Sequence, residues 1–306
     1  MKRYLAVEIG GTKLQVALGD GGGVVLARWR AEVRRDLGGE GIREQLSRMI
    51  PEALGCCEIE AIGVGFGGPV DWSTGRICCS HQIEGWSEFP LGDWIRLKAE
   101  VPVFVDNDAN VAALGEALNG AGKGRDPVFY ITLGSGVGGG LVVQRRIYHG
   151  AKPGESEIGH VRLDRAGAIV ESRCSGWAVD GRIREGIARH PSSLLAELCR
   201  GIERGEARHL ARAVKAGDEL ACSILNDTAG DLAFALSHVI HLMHPSVVVV
   251  GGGLSLVGEL LRGALAEALP GAVMEAMHPV PEVALAALGE DSVPVGALLL
   301  AANGGG

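Results

Sequence analysis

The chain has no apolar run that approaches the roughly 18–20 residues of a membrane-spanning helix. It has no dense block of lysine and arginine. Its formal net charge of −8 argues against a nucleic-acid partner, which would need a basic footprint. No Cys-x-x-Cys occurs among Cys56, Cys57, Cys78, Cys79, Cys174, Cys199 and Cys222. An odd set containing two adjacent pairs suits reduced thiols better than a disulfide framework. The opening Met1-Lys-Arg-Tyr4 leads into a strand-like segment, without the basic, apolar and small-residue succession of a signal peptide. These absences predict a cytoplasmic protein with neither membrane nor nucleic-acid partner.

Glycine is what the chain has in excess, at 48 of 306 residues. That is more than twice the ~7% average, and with no triplet period it excludes collagen. The length suits two domains of roughly 150 residues each, and a hydrophobic content of 47% implies well-packed cores.

Apolar runs at 4–9, 14–18 and 24–29, separated by glycine-rich turns, predict three strands in an antiparallel meander. Ile42, Leu46, Met49 and Ile50 recur at helical spacing within 41–54. Strands are expected at 59–66 and 101–105, and helices at 91–99 and 109–118. The order then begins again, with strands at 128–133, 139–143 and 146–148. An interrupted helical region follows from about 171 to 243, then a strand at 247–250 that ends in three glycines. A helix at 254–268, a strand at 283–287 and a helix at 295–302 close the chain. Each half opens with a glycine-rich turn between its first two strands. Two such halves facing each other would bring both turns to one cleft, a favoured small-molecule site. The glycine-rich stretch 120–127 is the candidate hinge.

Glu8-Ile-Gly-Gly-Thr-Lys13 places an acid at the end of a strand, followed by two glycines and a hydroxyl. Glycines let backbone N–H groups approach phosphate oxygens, Thr12 and Lys13 add donors, and the acid can hold Mg²⁺ directly or through water. An ordinary hairpin turn is the alternative. The spacing of a Walker A loop is missing. Downstream, Gly154-Glu-Ser-Glu-Ile-Gly-His160 sets Glu157 and His160 three apart across a glycine. With Asn107, Asp108, Asn110 and Glu171, it makes a polar set suited to hydroxyls that donate and accept. A polar loop with an incidental Glu and His is the competing reading, and Asp108 alone could equally cap a helix. His238, His241 and His244 recur every three residues, which drifts around a helix axis, and are read as structural.

Taken in order, these motifs resemble the ROK family of sugar kinases and regulators, within the actin/hexokinase-like ATPase superfamily. The family pattern Asp-x-Gly-Gly-Thr-Lys is matched from Glu8 to Lys13. Gly-x-Pro-Gly-Pro-Val-Asp is matched by Gly65-Phe-Gly-Gly-Pro-Val-Asp71. Asn-Asp-Ala-Asn stands at 107–110, with Ala-Leu-Gly-Glu at 113–116. The second phosphate loop is matched by Leu133-Gly-Ser-Gly-Val-Gly-Gly139, the sugar motif by Glu157 to His160, and the adenosine loop by Val250-Gly-Gly-Gly253.

The resemblance implies an α/β fold of two actin/hexokinase-like (ribonuclease H-like) ATPase domains around a central cleft. The smaller would hold 1–118 completed by a helix at 293–303, and the larger 119–292. It also implies a homodimeric, ATP-dependent hexose kinase, with glucose as the foremost acceptor and N-acetylhexosamine or fructose as others. Asp108 would be the catalytic base. Gly68, Asn107, Asp108, Glu157, His160 and Glu171 would bind the sugar. Gly10, Gly11, Thr12, Lys13, Gly134, Ser135, Gly136, Gly251, Gly252 and Gly253 would bind ATP, and Glu8 would hold Mg²⁺ indirectly. A catalytically weak sugar-binding regulator is the alternative. Family repressors carry a helix-turn-helix before the first motif, where this sequence has seven residues.

Two departures stand out. Glu8 replaces the family's Asp, keeping the acid but lengthening its reach by one methylene. The cysteine zinc loop that many members carry after the His has no counterpart in 161–174, so no structural zinc is expected. Glu171 is aligned with the sugar-binding Glu that follows this loop, with Asp180 as its rival. Gln82, near Gly85-Trp86, is a candidate for shifting sugar preference.

Overall fold

The computed structural model describes residues 2–11, 13–79, 83–152 and 156–305. Thr12, Gln82 and Gly154 lie outside the described residues. The chain divides into two compact units: unit 1 takes 1–126, 140–156 and 287–306, and unit 2 takes 127–139 and 157–286.

In unit 1, the strands are β1 (Arg3–Ile9), β2 (Lys13–Asp20), β3 (Val25–Glu32), β4 (Ala61–Phe66), the short pair β5 (Val70–Asp71) and β6 (Arg76–Ile77), and β7 (Val103–Asn107). Its helices are α1 (Gly38–Leu54), α2 (Leu91–Ala99) and α3 (Asp108–Asn119). The main sheet has the order β3-β2-β1-β4-β7. β1 to β3 form the expected antiparallel meander, while β4 and β7 add in parallel. β4 is buried throughout, as expected of a central strand covered on both faces. β3, at the edge, has no buried residue.

The parallel register decides where the motifs go. Ile9 pairs with Phe66 and Phe66 with Asn107, so β1, β4 and β7 end side by side. Ligands of open α/β sheets bind beyond such carboxyl ends. β7 runs two residues later than the expected 101–105, which makes Asn107 its last residue and Asp108 the first of α3.

The C-terminal helix of unit 1 (Ser292–Ala302) packs on β4 and α3 and is buried on nearly every side. A Cβ on Gly63 would collide with the Ala297 carbonyl, and one on Gly296 with that of Val111. Both glycines buy backbone-to-backbone approach at the ~0.5–1 kcal/mol that glycine costs inside regular elements.

Unit 2 holds β8 (Val128–Leu133) and the first residues of β9 (Val137–Val143). β9 passes into unit 1 after Gly139, where β10 (Arg146–Ile147) pairs with its end. The expected helical region divides into α4 (Val170–Cys174), α5 (Gly176–Arg189), α6 (Leu194–Leu198), α7 (Leu210–Lys215) and α8 (Glu219–Met243). Three of these starts are capped: Ser175, Ser193 and Asp218 accept from Ala178, Ala196 and Ala221. β11 (Val247–Gly251), α9 (Glu259–Ala272) and β12 (Glu282–Leu285) follow, and α10 is the buried helix already described at Ser292–Ala302. β11 runs parallel between β8 and β12, and all its residues are buried. Among the described residues, no helix is long and apolar enough to cross a membrane.

Candidate active site

Capping the start of α3 is the work of Asn107. Its Oδ1 accepts from the Ala109 amide at 2.8 Å and the Asn110 amide at 3.4 Å. Its Nδ2 donates to the Gly68 carbonyl at 3.1 Å. The cap therefore rests on Asn107, and Asp108 is the first residue of α3. Gly67 donates its amide to the Ile9 carbonyl at 2.8 Å. A Cβ on Gly67 would stand 3.3 Å from Asp108 Oδ2 and 3.5 Å from the Gly10 Cα. A side chain at Gly67 would therefore crowd the Asp108 carboxylate where these three strand ends meet. Unit 1 so gathers Gly10, Gly11, Gly68, Asn107 and Asp108.

Glu8, second from the end of β1, accepts from Gln15 Nε2. Burial pushes its carboxyl up; the Gln15 hydrogen bond, then Lys13 and Arg28, pull it partly back. Lys13 pairs with Glu290 at 3.0 Å, and its hydrogen bond and charge hold the Glu290 carboxyl down. Lys13, Gln15, Arg30 and Glu290 line a cavity of about 380 Å³. Asp71, which closes the second motif, is pulled to about 2, first by the Ser73 hydroxyl and then by Lys152.

In unit 2 the turn after β8 is the organising element. Gly134 donates to the Gly136 carbonyl at 2.9 Å, and Gly176 donates to the Gly134 carbonyl at 2.8 Å. Glu171 Oε2 accepts from the Val137 amide at 2.9 Å, and a Cβ on Gly136 would collide with that carboxylate. Glu157 precedes and His160 ends a single 3₁₀ turn, and both are exposed. Gly159 within this turn lies so close to the Val137 carbonyl that a Cβ would not fit. Unit 2 therefore brings Gly134, Ser135, Gly136, Glu171 and the Glu157–His160 turn together. Gly251, at the end of β11, pairs with Thr132. Gly252, at φ +81°, lies on the Leu133 backbone. The second glycine loop and Gly251 to Gly253 are thus neighbours.

Asp180 lies elsewhere. It is buried, and its two oxygens accept from Gly205 and Ala207 at 3.0 and 2.7 Å. Cys174 is fully buried, and burial pushes its thiol up to about 12. His241 accepts from the Met274 amide at 3.1 Å, His238 packs edge-on against Phe234, and His244 ends α8 at φ +44°. Among the described residues, no three His, Cys, Asp or Glu gather as a metal cage. Asp106 and His149 stand next to Asn107 in the structure, but no spacing rule joins residues 43 apart.

The sequence matches the ROK family over residues 4–303. It is 31% identical to a glucokinase of Thermotoga maritima over 303 residues, covering 96% of each chain. Among solved structures, it resembles a ROK family glucokinase from Streptomyces griseus in complex with glucose and AMPPNP. The TM-score is 0.85 at 30% identity, over 98% of this chain and 99% of the other. A ROK hexokinase from Thermus thermophilus is similar at TM-score 0.81 and 29% identity, covering 98% and 97%. The mixed α/β fold is the actin/hexokinase-like, two-domain one of these structures.

Proposed function

The chain belongs to the ROK family, and from that premise we propose that it is an ATP-dependent hexose kinase converting glucose to glucose 6-phosphate. Similarity to glucokinases along nearly the whole chain supports the reading. The observation that carries it is the division of labour at the start of α3. Asn107 supplies the cap, and Asp108 stands with its carboxylate beside Gly67 and the first glycine turn.

In this reading Asp108 accepts the proton of the attacking sugar hydroxyl. The sugar oxygen bonds to the γ-phosphorus as the bond to the ADP oxygen breaks. Phosphoryl transfer is mostly positioning and charge stabilisation, and an Asp taking the hydroxyl proton is a recurring part of it. Such a base is worth ~10²–10⁴-fold. Asn107, Gly68, Glu157, His160 and Glu171 bind the sugar. Gly10, Gly11, Thr12 and Lys13, with Gly134, Ser135 and Gly136, bind the phosphates, and Gly251 to Gly253 bind the adenosine.

Magnesium, when bound with the nucleotide, neutralises phosphate charge. Glu8 would hold it, directly or through water. The residue fits that duty, because burial has raised its pKa and a cation would offset the cost of its charge. A lone carboxylate also suits Mg²⁺, which keeps most of its waters and leans on substrate phosphates. The segment 161–174 is read as free of structural zinc, and the working protein as a cytoplasmic homodimer.

A coupled ADP-release assay over glucose, fructose, N-acetylglucosamine and N-acetylmannosamine tests the reading. Glucose should give the highest kcat/KM. No ADP release with any hexose would sink the kinase and leave a sugar-binding regulator.

A further inference from the structure

Beneath the first turn of α3 lies a set of side chains with no part in the scheme above. Asp106, next to the cap residue Asn107, is buried. Its Oδ1 accepts from the Asn107 amide at 2.8 Å and from Asn110 Nδ2 at 3.0 Å. Its Oδ2 accepts from His149 Nε2 at 2.6 Å. The His149 side chain is 10% exposed and its ring stacks on Trp72, with centroids 4.3 Å apart and planes at 15°. Three residues on, Lys152 pairs with Asp71 at 3.2 Å and hydrogen-bonds Ser73. Three stretches of unit 1 are thereby joined: the end of β5 with the turn into β6, the end of β7, and the segment after β10.

An aspartate's terminal torsion is broad and roughly two-fold, so little within Asp106 itself fixes the plane of its carboxylate. The plane matters, because Oδ1 holds both the backbone amide of the cap and the side chain of Asn110. His149 on Oδ2 sets it, and the Trp72 face sets the plane of His149. Hydrogen bonds to carboxylates are stronger than neutral ones, and a buried setting strengthens them further.

We propose that His149 is a positioning residue for Asp108. Through Asp106 it fixes the turn from β7 into α3, and with it the direction in which the first residue of α3 presents its carboxylate. The inference rests on the kinase reading for what Asp108 does, but not for the network itself.

Two variants separate the donor from the stack. His149→Phe keeps a ring on Trp72 and loses the donor to Asp106; His149→Gln keeps a donor and loses the ring. A misplaced catalytic group can cost up to ~10²-fold in rate. His149→Phe should therefore lower kcat roughly ten- to a hundred-fold, with KM for glucose and ATP within about two-fold. His149→Gln should recover most of that loss. Should His149→Phe retain more than about half of kcat, or His149→Gln lose as much, the inference is wrong.

Amide hydrogen exchange reads the network without substrate. The Asn107 amide should exchange at least about ten-fold faster in His149→Phe than in the unsubstituted protein, and an unchanged rate overturns the inference. If the unsubstituted protein phosphorylates no hexose, the kinase reading fails and the exchange result alone decides the network. The two failures are thus told apart.

Discussion

Glu116 accepts the hydroxyl of Ser292 at 2.8 Å across 176 residues of sequence. The same carboxylate accepts three backbone amides: Leu288 at 2.9 Å on Oε1, and Ala121 and Ala287 at 2.9 and 3.0 Å on Oε2. The Glu116 side chain has no exposure. One buried carboxylate thus anchors the turn after α3 and the entry to α10.

Replacing it with glutamine tests that role. An amide has one acceptor oxygen, so its NH₂ would face donors where an oxygen now accepts. Leaving buried donors unmatched, with loss of bonds to a charged group, costs about 3 kcal/mol. Glu116→Gln should lower the urea midpoint with little change in slope. A midpoint within error of the unsubstituted protein would show that the carboxylate is dispensable.

Asp108→Asn should lower kcat by ~10²-fold or more, the usual contribution of a general base. Asparagine keeps the shape and cannot take the proton, so glucose affinity by calorimetry should stay within about three-fold, and the loss should fall on kcat rather than KM. A variant retaining a tenth of kcat would assign the proton to another group.

Much of this was legible before any coordinates. The apolar runs of β1, β4, β8 and β11 are buried strands, and the glycine turns follow them. Local chemistry suffices there, since a continuous apolar run bounded by glycine has few other homes. The boundary at Asn107 was less legible, because Asn and Asp are both good caps and stand adjacent. Only the Gly68 carbonyl, 39 residues away, settles which side chain turns inward. Glu116 and Asp106 were beyond reach for the same reason. Their partners come from distant segments, and a buried carboxylate looks like any other in a string of letters.

Glu8 gives a pH test with a definite sign. Burial raises its folded pKa above the ordinary 4.5. Its contribution to stability is therefore full below 4.5 and is lost as pH rises through the folded value. Glu8→Gln has no such loss. Without metal, melting temperatures should favour the glutamine variant more at pH 7 than at pH 4.5, while its turnover with Mg²⁺ and ATP collapses. Glu8→Asp should remain active. A variant that melts in parallel with the unsubstituted protein across this range would show that burial does not raise the Glu8 carboxyl, and one that turns over normally would remove Glu8 from the metal.

The last test concerns Glu171, whose carboxylate has two obligations. Oε2 takes the Val137 amide and so braces the turn at 134–137, read as a phosphate loop. Oε1 is the oxygen left for a sugar hydroxyl. Loss of a hydrogen bond to a charged group costs ~1.5–3 kcal/mol, about ten-fold or more in affinity for each obligation. Glu171→Ala should therefore weaken both glucose and nucleotide in calorimetry, each by roughly ten-fold. Asp180→Ala should weaken neither, because both of its oxygens serve the Gly205 and Ala207 amides. Its cost should appear as a lower melting temperature. A larger loss of glucose affinity at Asp180 than at Glu171 would reverse the alignment, and a loss confined to nucleotide at Glu171 would take that residue out of the sugar site.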